Sequence, residues 1–277
     1  MKTNNCYFCG SGQHTFYAEE NGFNLVRCDV CGLLFVENRP SDSEIFQAHK
    51  PGIYGGIRSF DMTGRFNPGK VSWYLNILKD LFNGEFGDKK TWLDIGCGHG
   101  EFIEAVQTYC NGAIVKGTEP NVRKQESARK RGLDVNYFDI KSHQEKYEVV
   151  SMLNVYGHLP DPPAFLKSLK NVLEPHGELI LETGDTAGFL ARDHHRPFYL
   201  PDHISFASEG IVVGLLERLG FEILSVKKYP FMRFNLNSII KEFAKAILPH
   251  YKSRLKYYFQ RKKYSQTDMF IRARLKS

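Results

Sequence analysis

The chain has 277 residues, 42% hydrophobic and 25% charged, a globular composition with enough chain to bury a core. No apolar run approaches the roughly 18 residues that span a bilayer, and the start MKTNNCYFCG lacks the apolar stretch of a secretory signal, so a cytoplasmic location is expected. The net charge of +6 hides a division: residues 227–277 carry 14 Lys/Arg against two acids, a net of +12, whereas the first 226 carry 23 basic and 29 acidic groups.

In chain order, the first feature is a pair of C-x-x-C motifs, each followed by glycine: Cys6 and Cys9 in CYFCG, Cys28 and Cys31 in CDVCG. Thiolates two residues apart on a tight turn can point at one tetrahedral ion, and glycine relieves the backbone there. The spacing predicts a zinc ribbon over residues 1–37. Its Zn2+ is expected to be structural, because four protein ligands leave no open position for a substrate. Paired disulfides or a redox motif fit less well in a reducing compartment and with a doubled motif. Cys97 and Cys110 stand apart and are expected to be small buried residues.

Residues 38–70 are rich in Pro, Gly and polar residues and read as a connection or lid over a neighbouring site. From residue 71 the pattern becomes regular, with Val71, Tyr74, Leu75, Leu78, Leu81 and Phe82 on one helical face. Strand-like runs then alternate with helical ones. The strands are TWLDI, AIVKGTE, DVNYF, VVSMLN, ELILET, FEILSVK and MFIRAR; the helices lie at 101–109, 121–131, 163–173 and 208–219, the last N-capped by Ser208. This alternation predicts an α/β fold, a largely parallel sheet with helices on both faces and ligands beyond the carboxyl ends of its strands.

The first of these strands runs into WLDIGCGHG. Gly96, Gly98 and Gly100 follow G-x-G-x-G, which is neither the G-x-G-x-x-G of a dinucleotide site nor a phosphate loop with its Lys-Ser/Thr pair. Glycines here let a ligand lie against the backbone. Glu119, at the end of the next strand, can accept hydrogen bonds from two ribose hydroxyls. A nucleoside without a pyrophosphate is the expected ligand.

LDIGCGHG resembles the first motif of class I S-adenosylmethionine-dependent methyltransferases, and GTEPN resembles their ribose-binding turn. YFDI, VVSMLNVYGHLPDP and LEPHGELIL resemble, in order, the third-strand, fourth-strand and fifth-strand motifs. The resemblance covers residues 71–230 plus the final strand and implies a Rossmann-like, seven-stranded methyltransferase domain over 71–277. It implies S-adenosyl-L-methionine as cofactor, held by Asp94, Gly96, Cys97, Gly98, Gly100, Glu119, Pro120, Asp139, Ile140, Asn154 and Val155. One departure stands out: the Glu usual before His158 is Gly157 here. His99 reads as a loop residue at a variable position, and Cys97 as a small side chain under the cofactor.

A ribbon ahead of this domain, with LPDHISFAS after the fifth strand, is similar to bacterial methyltransferases of sugars and other small metabolites, and points to O-methylation. A hydroxyl acceptor benefits from a general base, for which histidine suits neutral pH. The candidates are His158, His194, His195 and His203, with Tyr156, Tyr199 and Asp202 as neighbours able to orient a base or substrate. His203 is favoured over His158, because Asp202 adjoins it and PDHISF resembles the acceptor-side segment of related enzymes. A rival reading, RNA methylation with ribbon and basic residues gripping nucleic acid, is opposed by a ribbon poor in charge and by the missing Asn-Pro-Pro-aromatic set. A third is a non-catalytic S-adenosylmethionine-binding protein. Residues 236–263 read as a basic amphipathic helical insertion before the last strand, packing on the body or a second subunit, or offering a surface for an anionic membrane or a phosphate-linked acceptor.

Overall fold

The computed structural model describes residues 5–84, 91–230, 240, 243–244 and 266–276. The insertion expected at 236–263 therefore lies outside the described residues, apart from three positions. No helix among the described residues is long and apolar enough to cross a membrane.

The N-terminal part forms β1 (His14–Glu20), β2 (Phe23–Cys28) and β3 (Leu34–Val36), an antiparallel meander. The segment read as a connection carries α1 (Asp42–His49), β4 (Ile53–Tyr54) and β5 (Phe60–Asp61). Helix α1 starts on a full capping box, in which Ser41 and Glu44 satisfy each other's backbone N–H groups. Then comes α2 (Pro68–Phe82), which opens with proline at its first position and closes on Asn83 in the left-handed region.

The strand–helix alternation follows: β6 (Thr91–Ile95), α3 (Glu101–Tyr109), β7 (Ile114–Thr118), α4 (Val122–Arg129), β8 (Asp134–Asn136), β9 (Tyr147–Leu153), α5 (Pro162–Ser168) and β10 (Leu173–Gly184). The chain finishes through β11 (Ser205–Phe206), α6 (Glu209–Arg218), β12 (Phe221–Tyr229) and β13 (Asp268–Leu275). Seven of these strands form one sheet in the order β12-β13-β10-β9-β6-β7-β8, with β13 antiparallel to both of its neighbours. Trp92, Val149, Ile180 and Phe270 point to the face covered by α2 and α3. Leu93, Val150, Leu179, Leu181 and Ile271 point to the face covered by α5 and α6.

The N-terminal meander belongs to a four-stranded sheet of its own, completed by a strand from much later in the chain. Its fourth strand is β11, paired to β3 through Ser205↔Phe35 and Phe206↔Leu34. Val26, Cys28, Leu33 and Phe35 join the same buried cluster as α6 and the main sheet. Each such aliphatic or aromatic side chain contributes about 1.5–3 kcal/mol on burial, so the meander is docked through its core.

Three local expectations change. The helix expected over 163–173 ends at Ser168, and a short 3-10 turn leads into β10, which starts at Leu173 because that residue pairs with Tyr147 across a register shift. Ser208 sits at the N-cap of α6, yet its side chain caps nothing; the Asp185 carboxylate accepts from the Glu209 N–H at 3.1 Å instead. Cys97 is buried, but Cys110 is only partly so.

Candidate active site

Beyond β6 the chain turns through Gly96, Gly98 and Gly100, all at positive φ (66°, 57° and 89°), which glycine adopts without strain. Their surroundings differ. A Cβ on Gly96 would collide with Val155, and one on Gly100 with Leu133, but one on Gly98 would meet nothing within 4 Å. The turn is thus packed from below and open above Gly98. Beside that opening, Glu119 is 5% exposed and its two carboxylate oxygens accept from the N–H groups of Gly98 and Asn121, both at 2.8 Å. Each oxygen keeps a lone pair for a further donor.

The other residues expected at the cofactor lie in or just after the parallel strands β6, β7, β8 and β9. Pro120 leads from Glu119 into the Asn121 cap of α4. Asp139 is exposed and accepts from the Lys141 N–H at 3.0 Å, while Ile140 is buried. Asn154 is held at positive φ at the end of β9, and Val155 supports Gly96. Asp94 lies beneath the turn: Trp92 Nε1 donates to Ser151 Oγ (2.8 Å), which donates to Asp94 Oδ1 (2.6 Å), and burial raises the carboxyl to about 7. Cys97 packs against Gly117, and burial pushes its thiol well above the ordinary range, as suits a packing residue rather than a nucleophile. An open backbone cradle flanked by a buried carboxylate fits a nucleoside-bearing cofactor such as S-adenosylmethionine.

His99 does more than fill a loop position. It is 8% exposed and its Nε2 meets the Thr63 carbonyl at 2.9 Å. Asn121 Nδ2 reaches Thr63 Oγ1, the Asn67 N–H donates to Glu101, and Arg123 donates to Pro51 O and pairs with Asp61. Residues 51–67 are thereby fastened across the glycine turn and α4.

The side expected to face the acceptor gathers three segments. His158 follows β9, and its Nδ1 lies 2.8 Å from the Asp202 carbonyl and 3.2 Å from Asp202 Oδ1. A carbonyl oxygen only accepts, so Nδ1 carries the proton and Nε2 presents the lone pair. His203 packs on His158, with ring centroids 4.2 Å apart, and its Nδ1 stands 3.9 Å from Asp202 Oδ2. From the segment 38–70, Tyr54 hydrogen-bonds the Asp202 carboxylate, and the His49 ring lies 6.5 Å from that of His158.

Electrostatics divide the two histidines. Burial lowers the pKa of His158, but the Asp202 carboxylate raises it more, leaving it above the ordinary value. Burial, with His158 adding to it, pushes His203 down to about 3. Burial would raise Asp202; His158, His203 and Tyr54 outweigh that and hold it well below the carboxylate range. His194 is elsewhere, 2% exposed among Tyr17, Phe198 and Phe206, and burial lowers it to about 4. His195 packs with it against Phe189 rather than at Asp202, and Tyr199 lies exposed near Phe60.

Gly157, where a Glu is usual, sits in a tight place. A Cβ there would stand 3.0 Å from Ser205 O and 3.3 Å from His203 Cδ2. His49 and Tyr54 were not singled out from sequence. Their one signal was a His and a Tyr inside a segment already read as a lid.

At the other end of the meander, Cys6, Cys9, Cys28 and Cys31 offer sulfurs that all lie within 4.8 Å of one another. Cys6 and Cys31 stand 3.4 Å apart and Cys9 and Cys28 3.5 Å, far beyond a disulfide bond, and all four cysteines are free. Four sulfurs at about 2.3 Å from a tetrahedral zinc stand about 3.8 Å apart, so the set fits that ion. The two turns repeat one hydrogen-bond pattern: Gly10 N–H to Cys6 O and Cys6 N–H to Ser11 O, then Gly32 N–H to Cys28 O and Cys28 N–H to Leu33 O.

Comparison with known proteins adds three findings. A family model described as a methyltransferase domain matches residues 72–226. The ubiquinone biosynthesis O-methyltransferases of Haemophilus ducreyi and Actinobacillus pleuropneumoniae are 34% and 31% identical over 140 residues, each match covering 45% of this chain and 58% of the relative. The chain thus spans about 58% of the length of those curated relatives. Among solved structures, a SAM-dependent methyltransferase from Archaeoglobus fulgidus superposes with a TM-score of 0.51 at 19% identity, over 75% of this chain and 94% of that one. The [4+2]-cyclase SpnF superposes with a TM-score of 0.54 at 16% identity, over 82% and 87%. At such identities these structures share the fold.

Proposed function

Given that the chain belongs to the methyltransferase-domain family, whose members use S-adenosylmethionine, we propose that it O-methylates a small hydroxylated acceptor, a sugar or another metabolite, with His158 as general base. The single observation that carries this is the His158–Asp202 pair. Asp202 fixes the proton on Nδ1 and stabilises the imidazolium, so Nε2 is left to take a hydroxyl proton. His203, favoured on sequence, is lowered too far to hold a proton near neutral pH. We assign it to packing behind His158. The relatives' names, which specify O-methyltransferases, support oxygen as the acceptor atom.

The cofactor supplies an electrophilic methyl on a sulfonium sulfur. Glu119 accepts the ribose hydroxyls, the open backbone above Gly98 receives the ligand, Asp139 and Ile140 flank the adenine, and Asn154 with Val155 closes the turn's far side. Residues 51–67 exclude water from above, through Thr63 on His99 and Tyr54 on Asp202. The four cysteines would hold a structural Zn2+. Among the described residues, the packing of Tyr7 and Phe8 of the ribbon against the enzyme body weighs against the nucleic-acid reading.

The test is a panel of catechols, phenols and glycosides with methyl-labelled S-adenosylmethionine. On a productive acceptor, His158→Ala should lower turnover by about 10²–10⁴-fold and leave cofactor affinity unchanged. The base works only when neutral and its pKa is raised, so activity is present above that pKa and lost as pH falls through it. Normal turnover in the variant, or a product methylated on nitrogen, sinks the proposal.

A further inference from the structure

We infer that Tyr7 is a positioning residue for the transfer site, and that the four-cysteine cluster acts through it to hold His158 and Asp202 in register. This rests on the His158 reading above. Tyr7 lies between Cys6 and Cys9, in a turn closed by the Gly10-to-Cys6 hydrogen bond. Its hydroxyl is 3.1 Å from Tyr156 Oη and 3.5 Å from Ser205 Oγ. Tyr156 is fully buried and two residues before His158, and Ser205 is two residues after His203. One hydroxyl from the metal-binding turn therefore touches both segments that build the histidine–aspartate pair.

The backbone carries the same linkage. Phe35 pairs with Ser205, the Val36 N–H donates to Ile204 O at 2.9 Å, and the Ile204 N–H donates to Gly157 O at 2.8 Å. The second cysteine turn sets where β3 begins, β3 sets β11, and β11 sets the residue after Gly157. Arg218 fastens the first turn from outside, donating to Phe8 O at 2.9 Å with its guanidinium 4.2 Å above the Phe8 ring.

Docking alone does not call for these hydroxyls. Val26, Leu33 and Phe35 already bury the meander against the body, and a neutral hydrogen bond adds little net stability over apolar groups of the same shape. What the Tyr7–Tyr156–Ser205 set adds is direction. A base must stand within a few tenths of an ångström of its proton, and a small displacement costs rate without costing fold.

The test uses the full chain with its metal and reads His158 by NMR with labelled histidine, which needs no acceptor. The groups acting on His158 are Asp202, His203, His49, Lys124 and Glu182, with Tyr54 acting through Asp202. All of them remain in Tyr7→Phe, so a shift there reports geometry. In Tyr7→Phe, zinc should stay at one per chain and cofactor affinity should hold. The His158 titration should move toward the ordinary histidine value of about 6.5, and turnover on the panel acceptor should fall about tenfold. Tyr156→Phe should behave alike, and the double variant should lose no more than either single one. Stripping zinc from the wild type with a chelator should move the same titration the same way. An unmoved titration in Tyr7→Phe, or in the stripped protein, overturns the inference. Normal turnover in His158→Ala would instead sink the base assignment; loss there with a normal Tyr7→Phe sinks only the positioning role.

Discussion

The proposed cofactor end of the sheet and the proposed acceptor end are built on opposite plans. At the cofactor end, Asp94 to Gly100 are consecutive and Glu119 lies one strand further on; backbone N–H groups and a single carboxylate make the site. At the acceptor end, His49, Tyr54, His158, Asp202 and His203 come from three distant stretches, and a fourth stretch, at Tyr7, props them from behind. A local site survives as long as its turn keeps its shape. A site assembled from afar depends on every contact that aligns its parts. The difference teaches that cofactor binding and catalysis should fail separately.

The largest effect expected is at Gly98. Its φ of 57° strains any larger residue, and the space above it is the space a ligand would use. Gly98→Val should abolish S-adenosylmethionine binding by calorimetry, while the chain still folds, because no protein atom stands within 4 Å of the new Cβ. Retained affinity would mean that the cofactor does not lie on this turn, and the contrast between the two ends would lose its first term.

Next comes Glu119. Hydrogen bonds to a charged acceptor are worth about 1.5–3 kcal/mol, so Glu119→Ala should weaken cofactor binding by about 10–100-fold. The effect has two sources, since the carboxylate also pins the N–H groups of Gly98 and Asn121. Glu119→Gln separates them: one amide oxygen can still accept, so the loss should be smaller. If Ala and wild type bind alike, the ribose lies elsewhere.

The same contrast explains what could be read from the sequence. The glycine turn and its contact with Glu119 were legible because a turn is local: three glycines after a strand imply an open backbone, and an acid one strand later lies within reach of it. The sheet was legible for a similar reason, in the alternation of apolar runs with amphipathic ones. At the proposed acceptor end the histidines were legible, but not how each of them stands to Asp202. Whether His158 or His203 receives support from Asp202 is decided by which nitrogen faces the Asp202 carbonyl, and no spacing encodes that. Nor did the sequence reveal that β11 completes the meander, since a two-residue strand has no periodicity to detect. Ser208 was found at the right helix start by residue type, but Asp185, 23 positions upstream, does the capping.

The smallest effect expected is at Tyr54, and it tests the acceptor end at its most distant contributor. Tyr54 is 6% exposed and donates to the Asp202 carboxylate, stacked on Phe60 at 5.7 Å. Tyr54→Phe keeps the ring and the stack and removes one donor. The Asp202 charge is then shared among fewer partners and acts more strongly on His158, so the already raised His158 pKa should rise further. The acid limb of the pH–rate profile should move to higher pH, with turnover at neutral pH down about threefold to tenfold, the scale of one hydrogen bond acting through another group. Cofactor affinity should not change, because Tyr54 touches the acceptor pair and not the glycine turn. A limb that moved to lower pH would mean that Tyr54 had been supporting His158 directly. A limb that stayed in place would show that residues 51–67 only cover the site, and that the acceptor end is assembled from fewer parts than its geometry suggests.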